Sequence, residues 1–156
     1  MVLMGNVRRE TAVFMERHWD RTNLGKKDTP SWSASPYIFQ GEIPNGTRRG
    51  CYAILEGQEV VYIGLGAKRG SGRYEGHAID SRLKKGYLRR DRRHKSASEN
   101  RSRIPVKKWA SMTAIYTIGF PDECSYLAHS LEAYLLLQLS PRRNKNLTGS
   151  SSRKKP

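Results

Sequence analysis

The stretch Gly50-Cys51-Tyr52-Ala53-Ile54-Leu55-Glu56-Gly57-Gln58-Glu59-Val60-Val61-Tyr62-Ile63-Gly64-Leu65 decides the fold. Residues 50–55 and 59–65 are two β-type runs around Glu56-Gly57-Gln58, which is the pattern of a β-hairpin. Its register bears on chemistry. A two-residue turn at Gly57-Gln58 pairs Tyr52 with Ile63 and sends Tyr62 to the other face. A three-residue loop, Glu56-Gly57-Gln58, pairs Tyr52 with Tyr62 on one face. Joint use of the two phenols requires that they share a face.

Outward from the hairpin, residues 73–85 predict a helix, with Ser71 near its start and Gly86 near its stop. Residues 109–120 read as a third strand. Residues 124–139 give the clearest helix, with Leu127, Leu131, Tyr134, Leu135 and Leu139 at helical spacing and Pro141 ending it. The order β-β-α-β-α predicts an α+β fold with a small, largely antiparallel three-stranded sheet flanked by helices. Upstream, residues 6–19 fit an amphipathic helix, and residues 22–50, punctuated by Pro30, Pro36 and Pro44, read as an irregular arm. The expected organisation is an N-terminal helix and arm over 1–49, a core over 50–147 with a basic insertion at about 86–108, and a disordered basic tail over 148–156.

Charge is distributed by segment. The chain of 156 residues carries 29 Lys+Arg against 14 Asp+Glu, a net charge of +15. Residues 82–108 hold twelve basic and two acidic side chains, whereas residues 109–140 hold no basic and three acidic ones. Such a field favours a polyanion, nucleic acid before an anionic membrane surface. The two cysteines, Cys51 and Cys124, make no disulfide framework and point to reduced thiols in a cytoplasmic protein. Zinc is disfavoured, because there is no C-x-x-C and His18, His77, His94 and His129 are scattered. No apolar run is long enough to span a membrane, a length of about 18 residues or more.

The hairpin also spells Gly50-Cys51-Tyr52, then nine residues, then Tyr62-Ile63-Gly64. This resembles the two-part signature of the GIY-YIG endonuclease family, with Cys51 in place of the usual Ile or Val. Further elements fall in the family's order. Arg73 lies nine residues after Gly64, close to where the family carries its catalytic arginine, and His77 follows four residues later. Glu132 lies on a later helix, where the family places its metal-binding glutamate, and Asn144 follows twelve residues after it. The resemblance covers about residues 50–146.

The resemblance implies a DNA endonuclease with Tyr52, Tyr62, Arg73, His77, Glu132 and Asn144 in its site. Tyr52, assisted by His77, would be the general base, and Tyr62 would orient the phosphate or a water. Arg73 would bind the scissile phosphate, with Lys68, Arg69 and Arg82 as competitors for that role. Asn144 would support the site by hydrogen bonding, with Asn146 as a substitute. The isolated carboxylate of Glu132 suits one Mg²⁺ ion, which keeps most of its waters and takes phosphate oxygens as remaining ligands. The expected products are 5′-phosphate and 3′-hydroxyl ends.

The compact chain resembles the stand-alone type II restriction branch, prokaryotic or phage-encoded and nucleoid-associated, acting on double-stranded DNA. Cutting both strands with one site per chain calls for a homodimer or sequential nicking. In the basic insertion, Arg89, Arg90, Arg92, Arg93, Lys95, Arg101 and Arg103 are the expected DNA contacts. The rival readings are a phage or repair nuclease of loose sequence preference and a non-catalytic nucleic-acid-binding protein.

Overall fold

A computed structural model describes residues 1–20, 28–67, 78–93 and 102–144. Among these residues the chain is α+β, with three helices around a three-stranded antiparallel sheet. Helix α1 spans Met4–His18, strands β1 and β2 span Arg49–Glu56 and Glu59–Gly66, and α2 spans Ala78–Gly86. Two short strands, β3 (Leu88–Arg90) and β4 (Arg103–Pro105), precede β5 (Ala114–Phe120) and α3 (Leu127–Leu139). The sheet order is β2-β1-β5, while β3 and β4 form a separate two-stranded ribbon.

The hairpin departs from both expected registers. Its turn has two residues, with Glu56 opposite Glu59 and Leu55 opposite Val60. The register then shifts, so that Ile54 faces Tyr62 and Tyr52 faces Gly64. Val61 is the extra residue of a bulge. One inserted residue inverts the facing of everything beyond it, so Tyr62 returns to the face of Tyr52 although the turn is short. Gly57 opens the turn at φ +61°, which only glycine adopts freely.

Strand β1 is central and buried on both faces. Cys51, Ala53 and Leu55 pack into an apolar cluster with Val7 and Phe14 of α1 and Leu131 and Leu135 of α3. Tyr52 and Ile54 point the other way, toward Ile79 and Leu83 of α2, Tyr87, Trp109 and Ile115. Helix α1 buries Val7, Thr11, Phe14 and Met15, one face at helical spacing. Helix α3 ends at Ser140, which turns left-handed at φ 48° immediately before Pro141.

Both sheet edges are covered, which removes the hazard of unpaired strand groups. On the β2 edge, the Val60 amide donates to the Val2 carbonyl at 2.7 Å and the Arg143 amide donates to the Val61 carbonyl at 2.9 Å. On the β5 edge, Tyr37 exchanges two backbone bonds with Ile115, at 2.7 and 3.0 Å, and the Ser33 amide donates to Thr117 at 2.8 Å. The proline-punctuated arm thus serves as an irregular edge to the sheet. It also seats α2, because the amides of Ile79 and Asp80 donate to the carbonyls of Arg48 and Gly46.

Two expected elements start later than the sequence suggests. Trp109 ends a 3-10 turn over Lys107–Trp109, so the third strand of the sheet begins only at Ala114. Cys124 closes another 3-10 turn, and α3 starts at Leu127. Ala78–Gly86 is the described part of the helix expected over residues 73–85. Among the described residues no helix is long and apolar enough to cross a membrane.

Candidate active site

Three phenols meet on the α2 face of the sheet. Tyr52 is fully buried, and its hydroxyl donates to that of Tyr87 at 3.0 Å. The Tyr52 ring lies 6.2 Å from Tyr62 and 5.5 Å from Tyr87, centroid to centroid. Trp109 backs the group, with its ring 5.5 Å from Tyr62 and 5.2 Å from Tyr87. Gly64 makes room for this packing. A Cβ there would lie 2.5 Å from the Tyr52 phenol, a distance that van der Waals contact forbids.

Arg82 reaches this cluster from α2. Its side chain is exposed, and its guanidinium lies 5.8 Å from the Tyr87 ring centre. The Tyr52 oxygen pushes the Arg82 pKa further up, so it stays a cation. Burial raises the Tyr52 phenol well above its ordinary value, with the neighbouring Tyr87 adding to the shift. Burial and Tyr87 raise Tyr62 as well. Both phenols are therefore protonated at neutral pH and act as hydrogen-bond donors.

Glu132 comes from α3, on the far side of the sheet, and is half-buried. Its charge interacts with Tyr62, and the charge of Arg82 acts on Glu132 in turn. Burial raises its carboxyl above the usual range, opposed by His129 and Arg82. Cys51, on the α3 side of β1, donates its thiol to the Ala128 carbonyl at 3.2 Å and is buried, which raises its pKa and keeps it an un-ionised core residue.

Asn144 does not reach the phenols. Its side-chain oxygen accepts from the Ile63 amide at 2.9 Å, and its side-chain nitrogen donates to the Ile63 carbonyl at 2.8 Å. The amide group thus replaces a missing strand partner, next to the bulge that aims Tyr62. Its neighbour Arg143 binds Glu56 and lies over the Trp109 ring at 4.4 Å. Arg142 pairs with Glu56 and Glu59. These two arginines of the C-terminal segment are thereby committed to the hairpin.

The structure packs Tyr52 and Tyr62 together with Tyr87 and Trp109, sets Arg82, named from the sequence as an alternative to Arg73, beside the Tyr87 ring, and carries Glu132 on α3 across the sheet, where its charge acts on Tyr62. Arg73 and His77 lie outside the described residues, as do Lys95, Arg101 and Asn146. Tyr87 carried no motif. Its nearest signal was its place directly after Gly86, at the end of α2. Trp109 is buried, and what it packs against is the phenol cluster.

The basic insertion divides in two. Arg89, Arg90, Arg92 and Arg93 are exposed and, with Asp91 and Ile104, line an open groove of about 610 Å³. Arg103 faces a different groove, lined by the arm from Gly41 to Thr47 and by Asp80 and Lys84. The ribbon grows directly from the site, since the Val106 amide donates to the Tyr87 carbonyl at 2.9 Å.

Among the described residues no three His, Cys, Asp or Glu gather as a metal cage. These residues instead offer one half-buried carboxylate, Glu132, whose charge acts on Tyr62 and responds to Arg82. Such a donor set fits Mg²⁺, which retains several waters and takes phosphate oxygens as ligands. Comparison with protein-family models, curated proteins and solved structures returned no match for this chain.

Proposed function

We propose that the protein is a Mg²⁺-dependent endonuclease of GIY-YIG type that hydrolyses DNA phosphodiesters, and that it acts as a restriction enzyme. The observation that carries this reading is the cluster of Tyr52, Tyr62 and Tyr87, with the Arg82 guanidinium over the Tyr87 ring, at the base of an arginine-rich ribbon. A phosphate entering this corner meets a permanent cation and neutral donors.

In the proposed reaction a water attacks phosphorus, the bond to the 3′-oxygen breaks, and 5′-phosphate and 3′-hydroxyl ends result. Arg82 holds two phosphate oxygens with its planar fork and offsets the charge that develops on them. Tyr62, the half-buried phenol, donates to the phosphate or positions the water. Tyr52 anchors Tyr87 from beneath. Its burial disfavours the phenolate that a general base would need, so the water's proton passes to His77 or to solvent. Glu132 would hold the Mg²⁺, which when bound supplies further positive charge at the phosphate.

Digestion of a plasmid of known sequence by the purified chain tests this. The expected result is Mg²⁺-dependent cutting into discrete fragments that ligase rejoins. Scattered nicks would favour the loose-preference nuclease. A shift of DNA mobility with no cutting would leave only the binding protein.

A further inference from the structure

Within the basic ribbon one arginine is built differently from a simple phosphate contact. Asp91 is 4% exposed, yet its neighbours in the chain are arginines. Its carboxylate accepts from Arg93 Nε at 2.9 Å and from Arg93 Nη2 at 2.8 Å, one oxygen for each. The same carboxylate accepts the Arg93 amide at 3.1 Å, and the Asp91 amide donates to Ser102 across the ribbon at 3.2 Å. The Arg93 side chain nonetheless remains 76% exposed. One edge of its fork is therefore fixed to a buried base, and the other edge faces outward.

This arrangement does little for affinity. A buried carboxylate cancels much of the charge that attracts a phosphate. What it supplies is direction, because a guanidinium held along one edge loses little freedom when the other edge binds. Phosphate contacts need charge and tolerate loose geometry, whereas base contacts need a fixed plane. A two-stranded β-ribbon also fits the major groove of B-DNA, which is about 12 Å wide.

We propose that the β3–β4 ribbon enters the major groove, where Arg93, aimed by Asp91, reads the O6/N7 edge of a guanine while Arg89, Arg90 and Arg92 hold phosphates. The inference rests on the DNA-cleaving reading above and adds to it the residue that sets sequence preference.

The test is selection of bound duplexes from a randomised pool by the full chain without divalent metal, repeated with Arg93→Lys, Asp91→Asn and Arg89→Gln. The wild type should require guanine at one position, and replacing that base by 7-deazaguanine, which lacks N7, should weaken binding by about 5- to 150-fold. Arg93→Lys should lose the preference there and keep the salt dependence. Arg89→Gln should keep the preference and flatten the slope of log K against log salt by about one unit. Asp91→Asn should blunt the preference, and if it unfolds, Arg93→Lys alone decides.

Uniform weakening by Arg93→Lys on every sequence, or a retained guanine preference, overturns the proposal. A wild type that cuts with Mg²⁺ but selects no base refutes it while leaving the nuclease reading intact. Selection of guanine without cutting supports it and removes the nuclease reading.

Discussion

The two faces of β1 are made from alternate residues of one strand, yet they do different work. Toward α1 and α3 the strand shows Cys51, Ala53 and Leu55, and their neighbours are aliphatic or aromatic. Toward α2 it shows Tyr52 and Ile54, and Tyr52 hydrogen-bonds a second phenol. The first face holds the fold by burial alone, at about 1.5–3 kcal/mol for each large side chain. The second spends part of its packing on buried hydroxyls that must find partners. On the proposed reading, stability and chemistry are divided across one sheet, and substitutions on the two faces should separate them.

The largest effect is expected where the apolar face supplies the chemistry's one carboxylate. Glu132→Ala should abolish Mg²⁺-dependent cleavage, leave DNA binding nearly intact and hardly move the unfolding midpoint. Gel shifts, cleavage assays and thermal melts measure the three. Substantial residual cutting would remove Glu132 from the site.

Its neighbour gives the opposite result. Leu131 is fully buried against α1 and β1, and Leu131→Ala should cost about 2–5 kcal/mol in denaturant unfolding. Cleavage per folded molecule should be unchanged below the transition. If activity fell without loss of stability, the division between faces would be wrong.

Asn144→Ala should do some of both. It leaves the amide and carbonyl of Ile63 without their partner on the β2 edge, at about 1–3 kcal/mol for each group that water does not reach. Because Ile63 adjoins the bulge, the aim of Tyr62 should loosen, and cleavage should fall further than stability explains. Hydrogen exchange at the Ile63 amide reports the clamp directly and should accelerate.

Tyr52→Phe sharpens the comparison within the polar face. It removes one buried hydrogen bond, to Tyr87, worth about 0.5–1.5 kcal/mol. A rate loss of about tenfold, on the scale of one such bond, is expected. A loss of about 10²-fold or more, the scale of a general base, would return that role to Tyr52.

The smallest effect is on pH dependence. The Glu132 carboxyl is raised in the folded state, mainly by burial. Between its unfolded and folded pKa values the native state binds more protons than the unfolded one, so ionising Glu132 lowers stability as pH rises through that window. Glu132→Gln should remove this slope from pH-dependent melts.

By itself the amino-acid sequence determined the hairpin, α3 and the segregation of charge, because each depends on neighbours in the chain. The β-type runs flank a glycine turn, and the leucines from Leu127 to Leu139 repeat at helical spacing. It also singled out Tyr52, Tyr62 and Glu132, though only through a resemblance. Tertiary structure decided the rest. The bulge at Val61 sets which way Tyr62 faces, and it is held by Arg143 and Asn144 from the far end of the chain. Arg82, one of many arginines, lies over the Tyr87 ring because the arm holds the start of α2 against the sheet. Tyr87 entered because it directly follows α2, with its ring against Tyr52, Tyr62 and Trp109. Long-range contacts of this kind carry no local periodicity. One inserted residue inverts a strand's facing at almost no cost in sequence signal, which is why the partners in the site emerged only from the folded chain.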